Sequence, residues 1–217
     1  MTDVNRSEAG RARSREVTDI FSDWAERGRD EGMERGHAAA VAEMLGPALE
    51  SMAENFRFLD AGCGNGWVVR KVRDHPGCVH AEGVDGSAKM VEKCRETDPS
   101  GTYSEAMLQD FEPSPKVDLV HSMEVLYYVD DPEALLRHMH GWLDSGGRLV
   151  AGIDHYAENA ESLEWPAQTG LPMTTWSEAR WAEAMVAAGF EGVETRRVCA
   201  DPEKSWAGTL VLSGRKV

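Results

Sequence analysis

An α/β fold built on a largely parallel sheet is what this chain predicts, and three observations carry the prediction. From residue 56 onward, strand-length apolar runs alternate with helix-period runs. A glycine cluster, Gly62, Gly64 and Gly66, follows the first of those strands and opens the first of those helices. The length, 217 residues, suits one domain with a substantial core.

Taken in order, residues 1–15 are polar, Arg-rich and without periodicity, and are expected to form a mobile arm. Residues 16–217 then form a single domain, with 16–55 as a helical cap or lid. Val17, Ile20, Phe21 and Trp24 recur at one-face helical spacing, as do Val41, Met44, Leu45, Ala48, Leu49 and Met52 within 38–52. Between them lies the charge- and glycine-dense stretch 27–37, readable as a lid or as a continuation of the helix.

Phe56–Asp60 reads as the first strand and Val68–Arg73 as the helix after the glycine turn. Val79–Val84 is the second strand, followed by a helix over Ser87–Thr97. Thr102–Ser104 and Val117–Val120 are short strands. Asp131, Pro132 and Glu133 supply an N-cap, a first-turn proline and a first-turn acid for a helix ending near Leu143, ahead of Gly146 and Gly147. Arg148–Ile153 is a further strand. After a weakly patterned stretch, 154–175, Ser177 caps a helix that Gly189 ends. Strands over Gly192–Val198 and Ala207–Leu212 close the chain. Such alternation places helices on both faces of the sheet.

Charge narrows the partners. Lys and Arg total 23 against 38 Asp and Glu, a net of −15. That surface repels phosphate backbones and anionic lipid heads, so neither nucleic acid nor membrane is expected as a partner. The same repulsion is screened at high ionic strength, so both a high-salt habitat and an ordinary acidic protein fit the number. Cys63, Cys78, Cys94 and Cys199 have no CxxC spacing, and the chain contains no membrane-length apolar run. Free thiols and a cytoplasmic location are the expectation. The histidines lack the spacing of a metal site, so no metal is expected.

The chemistry centres on Asp60-Ala61-Gly62-Cys63-Gly64-Asn65-Gly66, where a strand becomes a helix. Glycine permits the sharp bend and lets a ligand approach the backbone without meeting a Cβ. Ligands of open parallel sheets bind outside the carboxyl ends of the strands, where this turn falls. The spacing is GxGxG, not the GxGxxG of dinucleotide enzymes, and no GK[ST] of a P-loop follows. Asp60 adds negative charge where a pyrophosphate would lie. S-Adenosylmethionine, cationic and free of phosphate, suits that position better. Asp85 ends the second strand and can accept hydrogen bonds from ribose hydroxyls, with Gly86 beside it. After the next strand, Asp110 can accept from an adenine amino group, and Phe111 can cover the ring.

Leu59–Gly66 resembles the first motif of the class I S-adenosylmethionine-dependent methyltransferases, the group that includes the quinone-biosynthesis methyltransferases. Gly83-Val84-Asp85-Gly86-Ser87 resembles the second motif, and Val117–Leu126 resembles that of the fourth strand. The likeness spans about Phe56 to Ile153. It implies a Rossmann-like, doubly wound, seven-stranded and mostly parallel sheet whose last strand is antiparallel, with helices N-terminal to it. By that resemblance S-adenosyl-L-methionine is the cofactor. Gly62 and Gly64 meet its methionine part, and Asp60 lies near its ammonium. Asp85 holds the ribose, Asp110 the adenine, and Ser122 and Met123 lie beside the methionine end. Relatives often carry Glu-His where this chain has Tyr127-Tyr128, which leaves the base open. His155, Tyr128 and Tyr156 are the candidates for it.

Methyl transfer to a small-molecule acceptor is therefore the expected activity. Glu124 and Glu158 near the mouth favour an amine. A nicotinamide-dependent dehydrogenase and a non-catalytic cofactor-binding or regulatory protein are the rival readings.

Overall fold

The computed structural model describes residues 17–217; the expected arm at 1–15 lies outside them. Seven strands form one sheet in the order β3-β2-β1-β4-β5-β7-β6. They are β1 (Phe56–Ala61), β2 (Cys78–Asp85), β3 (Thr102–Glu105), β4 (Val117–Met123), β5 (Leu143–Ile153), β6 (Glu191–Val198) and β7 (Thr209–Arg215). The pairings from β3 to β5 are parallel, and β7 runs antiparallel to both its neighbours. The order reverses at β1, whose neighbours are β2 and β4. A crevice opens outside the strand ends at such a switch point.

Seven helices accompany the sheet among the described residues: α1 (17–26), α2 (Met33–Glu50), α3 (Trp67–Arg73), α4 (Ala88–Thr97), α5 (Pro132–Trp142), α6 (Trp165–Thr169) and α7 (Glu178–Ala187). Their boundaries follow local chemistry. Ser87 accepts the Met90 N–H and starts α4. Asp131 accepts the Ala134 N–H at the head of α5, and Ser177 accepts the Arg180 N–H at the head of α7. The stretch 27–37 divides in two. Arg29–Gly32 is a single 3-10 turn, and Met33 onward already belongs to α2.

Two apolar layers sandwich the sheet. On one side Leu59, Val120, Leu149 and Leu212 meet Leu136, Met139, Trp142, Trp181 and Met185 of α5 and α7. On the other, Phe58, Leu119 and Val150 meet Val41, Met44 and Leu45 of α2 and Val69 and Val72 of α3. Strands covered on both faces are buried along nearly their whole length, as β1 and β4 are.

The sequence placed the start of β5 too late. Leu143 already pairs with Val117, and a register shift passes Gly146 and Gly147 before Arg148 meets Leu119. Those glycines lie within β5 and do not precede it. A Cβ on Gly147 would stand 2.9 Å from the Asp144 carbonyl oxygen, so the irregular strand needs glycine there.

Candidate active site

The site starts from the bend after β1. Gly62, Gly64 and Gly66 all have positive φ, at 78°, 52° and 75°. Side chains rarely adopt that backbone, and a Cβ on Gly62 would also run into the Val125 methyl. The Gly62 and Cys63 N–H groups donate to the Val84 carbonyl at 2.8 and 3.1 Å, which ties the loop to β2. Gly66 is the N-cap of α3.

Asp85, at the carboxyl end of β2, completes this frame. Its Oδ2 accepts the Gly64 N–H at 2.9 Å and its Oδ1 the Ser87 N–H at 2.8 Å. Each oxygen retains acceptor capacity for a hydroxyl. Burial raises the Asp85 carboxyl to about 6, against the opposing pull of those two N–H groups. Next to it, a Cβ on Gly86 would stand 2.6 Å from Thr18 Cγ2. Glycine there lets α1 lie against the end of β2.

These residues border a cavity of about 240 Å³. Of the residues expected from sequence, Gly62, Gly64, Asp85, Gly86, Met123 and Tyr128 line it. The others lie behind or beside it. Asp60 is buried beneath the loop, with Oδ1 2.6 Å from His121 Nδ1. Ser122 donates its hydroxyl to the Ala61 carbonyl at 2.8 Å. Gly66 is turned toward Cys94 and Tyr103. The 3-10 turn Leu108–Asp110 brings Leu108 and Gln109 to the cavity, while Asp110 is not among its lining residues. Phe111 is half-buried and packs edge-on against Trp142 of the core, 5.7 Å between ring centres.

The three candidate bases fare differently. His155 is fully buried, and both ring nitrogens are engaged. Nδ1 is 2.9 Å from the Ser162 carbonyl oxygen, and Nε2 is 2.6 Å from Thr175 Oγ1. Burial holds its pKa below the ordinary histidine value. Tyr156 is equally buried and donates to the Gly208 carbonyl at 2.9 Å. Both belong to the segment that follows β5, and neither is among the residues lining the cavity. Tyr128 does line it, but burial pushes its phenol up to about 12, so it stays protonated at neutral pH. Glu158 is engaged at the head of α7, where it accepts the Glu178 N–H.

Glu124 stands at the end of β4 with φ at 59°, a strained conformation for a non-glycine residue. Its Oε2 accepts the Tyr127 hydroxyl and its Oε1 the Asp154 N–H, both at 2.6 Å. Enclosure and the nearby Asp154 charge hold its carboxyl well above the usual range. The opposite wall comes from the N-terminal helices. Phe21 and Trp24 of α1 meet edge-on at 5.2 Å, and Phe21 meets Tyr128 edge-on at 5.3 Å. Asp30, Met33 and His37 continue this wall. Asp30 is anchored by Lys93 at 2.5 Å and receives the Asn65 amide at its carbonyl, which straps the turn over the glycine loop.

Sequence reasoning missed Asp30, Met33 and His37 as site residues. Their only signal was the charged stretch 27–37, and Phe21 and Trp24 read simply as one apolar helix face.

Comparison with known proteins accords with this geometry. The family profile described as "Methyltransferase domain" matches residues 11–195. Trans-aconitate 2-methyltransferase of Agrobacterium fabrum is 27% identical over 73% of this chain and 57% of its own length. Histamine N-methyltransferase of Mus musculus is 31% identical over 46% of this chain and 41% of its own. The chain thus spans about half the length of the curated relatives it matches. Among solved structures, the Haloferax volcanii protein in complex with the Trm112 methyltransferase activator superposes with a TM-score of 0.79. It is 30% identical, with 90% of this chain and 96% of that one covered. From the profile match across most of its length, and from the cavity at the switch point of its sheet, the chain belongs to the methyltransferase-domain family, among the class I S-adenosylmethionine-dependent enzymes.

Proposed function

We propose that this methyltransferase acts on a small amine, neutral or cationic, held in the aromatic end of the cavity. One observation carries the acceptor class: among the described residues lining the cavity there is no Lys or Arg, whereas Asp30, Asp85 and Glu124 all line it. A carboxylate acceptor would meet acidic groups with no cation to pair it. An amine instead meets the rings of Phe21, Trp24, Tyr127 and Tyr128, whose faces attract cations.

The residues present fit the cofactor. Gly62 and Gly64 present no Cβ to the cavity, and Asp85 offers carboxylate oxygens for vicinal hydroxyls. When bound, S-adenosylmethionine supplies an electrophilic methyl group on a sulfonium. The chain's contribution is to align the acceptor and exclude water, and alignment supplies about 7–11 kcal/mol in well-oriented systems. The test pairs two acceptors. Release of S-adenosylhomocysteine is expected with histamine and not with trans-aconitate; the reverse result rules the amine out.

Cofactor binding should also depend on pH. Only the ionised Asp85 can accept from both ribose hydroxyls, and its carboxyl titrates at about 6. Affinity is therefore full above that pH and falls as pH drops through it, by about tenfold at pH 5. Calorimetric titrations between pH 5 and 8 check this; a flat profile removes Asp85 from the binding step.

A protein partner is a second reading, supported by the near full-length match to the Haloferax volcanii protein found with its activator. Co-expression with a Trm112-type activator should then raise the melting temperature and yield one co-eluting complex. Separate elution with unchanged melting argues against it.

A further inference from the structure

We propose that His37, backed by Asp154, accepts the proton of an ammonium acceptor in the cavity. The inference rests on the amine reading above and adds the residue that makes such an acceptor nucleophilic.

The placement comes from packing. α2 lies across the carboxyl ends of β4 and β5 so closely that a Cβ on Gly152 would stand 2.6 Å from Met123 Sδ and 2.9 Å from Met44 Sδ. His37 precedes Met44 by seven residues, two helical turns, and therefore shares its face of α2. That face carries His37 over the end of β5, into the cavity wall. Asp154 is the first residue beyond β5 and is 5% exposed. Thr209 hydrogen-bonds its carboxylate, yet Oδ1 has no hydrogen-bond partner. A buried carboxylate oxygen left unpaired is costly and calls for a cation or a donor nearby. The Asp154 charge reaches His37.

The surrounding groups leave His37 the role. Glu124, which also lines the cavity, already takes two hydrogen bonds on its two carboxyl oxygens, and burial with the Asp154 charge raises its pKa. Tyr127 and Tyr128, which share the cavity, keep their phenol protons. Asp30 is paired with Lys93. Burial lowers the His37 pKa and Asp154 partly restores it, which leaves a neutral imidazole at neutral pH.

A proton acceptor matters because an amine as basic as lysine is neutral in roughly one molecule per thousand at pH 7.5. In the proposed step the N–H bond of the ammonium breaks and its electron pair stays on the acceptor nitrogen. The proton forms a new N–H bond on the imidazole. Nothing is oxidised or reduced.

Two measurements decide it. In protein labelled with 15N-histidine and free of ligand, the His37 ring, assigned with His37→Gln, should be neutral at pH 7.5. Its titration midpoint should fall further in Asp154→Asn. An imidazolium at pH 7.5, or equal midpoints in the two proteins, overturns the pairing. Turnover is then read with histamine, benzylamine and putrescine. His37→Gln should lower kcat about 10²- to 10⁴-fold, with S-adenosylmethionine affinity within about threefold of wild type. Equal kcat overturns the proposal, as does wild type that binds S-adenosylmethionine but methylates none of the three amines. Wild type that fails to bind S-adenosylmethionine instead sinks the cofactor reading beneath it. Because His37→Gln stands alone, the proposal stays falsifiable even if Asp154→Asn does not fold.

Discussion

Replacing Asp85 with alanine is expected to weaken S-adenosylmethionine binding about 30- to 150-fold, the equivalent of about 2–3 kcal/mol. Two losses combine. The ribose hydroxyls lose a charged acceptor, and the Gly64 and Ser87 N–H groups lose the oxygens that now hold them at 2.9 and 2.8 Å. The second loss matters because the Gly64 N–H belongs to the loop that forms the cavity wall. Asp85→Asn separates the two effects. It keeps one acceptor oxygen and the side-chain shape but places an amide group against one of the two N–H donors. A Kd between those of wild type and the alanine variant is expected. Isothermal titration of all three proteins at pH 7.5 is the check, and an unchanged Kd for alanine would remove the ribose assignment.

The second large effect concerns stability. Trp181→Ala should destabilise the fold by about 3–5 kcal/mol, the usual cost of emptying a buried aromatic site. Trp181 of α7 is fully buried against the sheet, with Trp176 4.7 Å away in a tilted stack. For a chain of this size that loss lowers the melting temperature by roughly 6–20 °C. The indole also carries a cost of its own, since its Nε1–H is buried without a partner. Trp181→Phe removes that orphaned donor together with part of the volume, so its loss should stay below about 1.5 kcal/mol. Urea denaturation of the two variants tests the contrast; equal losses would mean that the indole proton has an unseen partner.

What the sequence disclosed and what it withheld divide along a physical line. The β1 bend, Asp85 and the Ser87, Asp131 and Ser177 caps were legible because local chemistry dictates them. Glycines at positive φ and side-chain caps act within a few residues of themselves. The antiparallel last strand came through family resemblance, since nothing in 207–212 itself specifies direction. The stretch 154–176 was opaque for the opposite reason. Its short turns are fixed by contacts such as Asn159 Nδ2 to the Asp154 carbonyl and His155 to Ser162, with no apolar period behind them. His155 and Tyr156 therefore looked like polar residues at a strand mouth, although both are buried. His37 failed to stand out because the cavity it lines is completed by residues far along the chain, such as Glu124 and Tyr127.

The cavity draws on separate stretches of the chain for its two ends. The β1 bend and the tip of β2 frame one end, whereas Phe21 and Trp24 come from a helix that precedes the whole sheet. Exchanging Phe21 or Trp24 would reshape that end of the cavity without disturbing a single strand pairing.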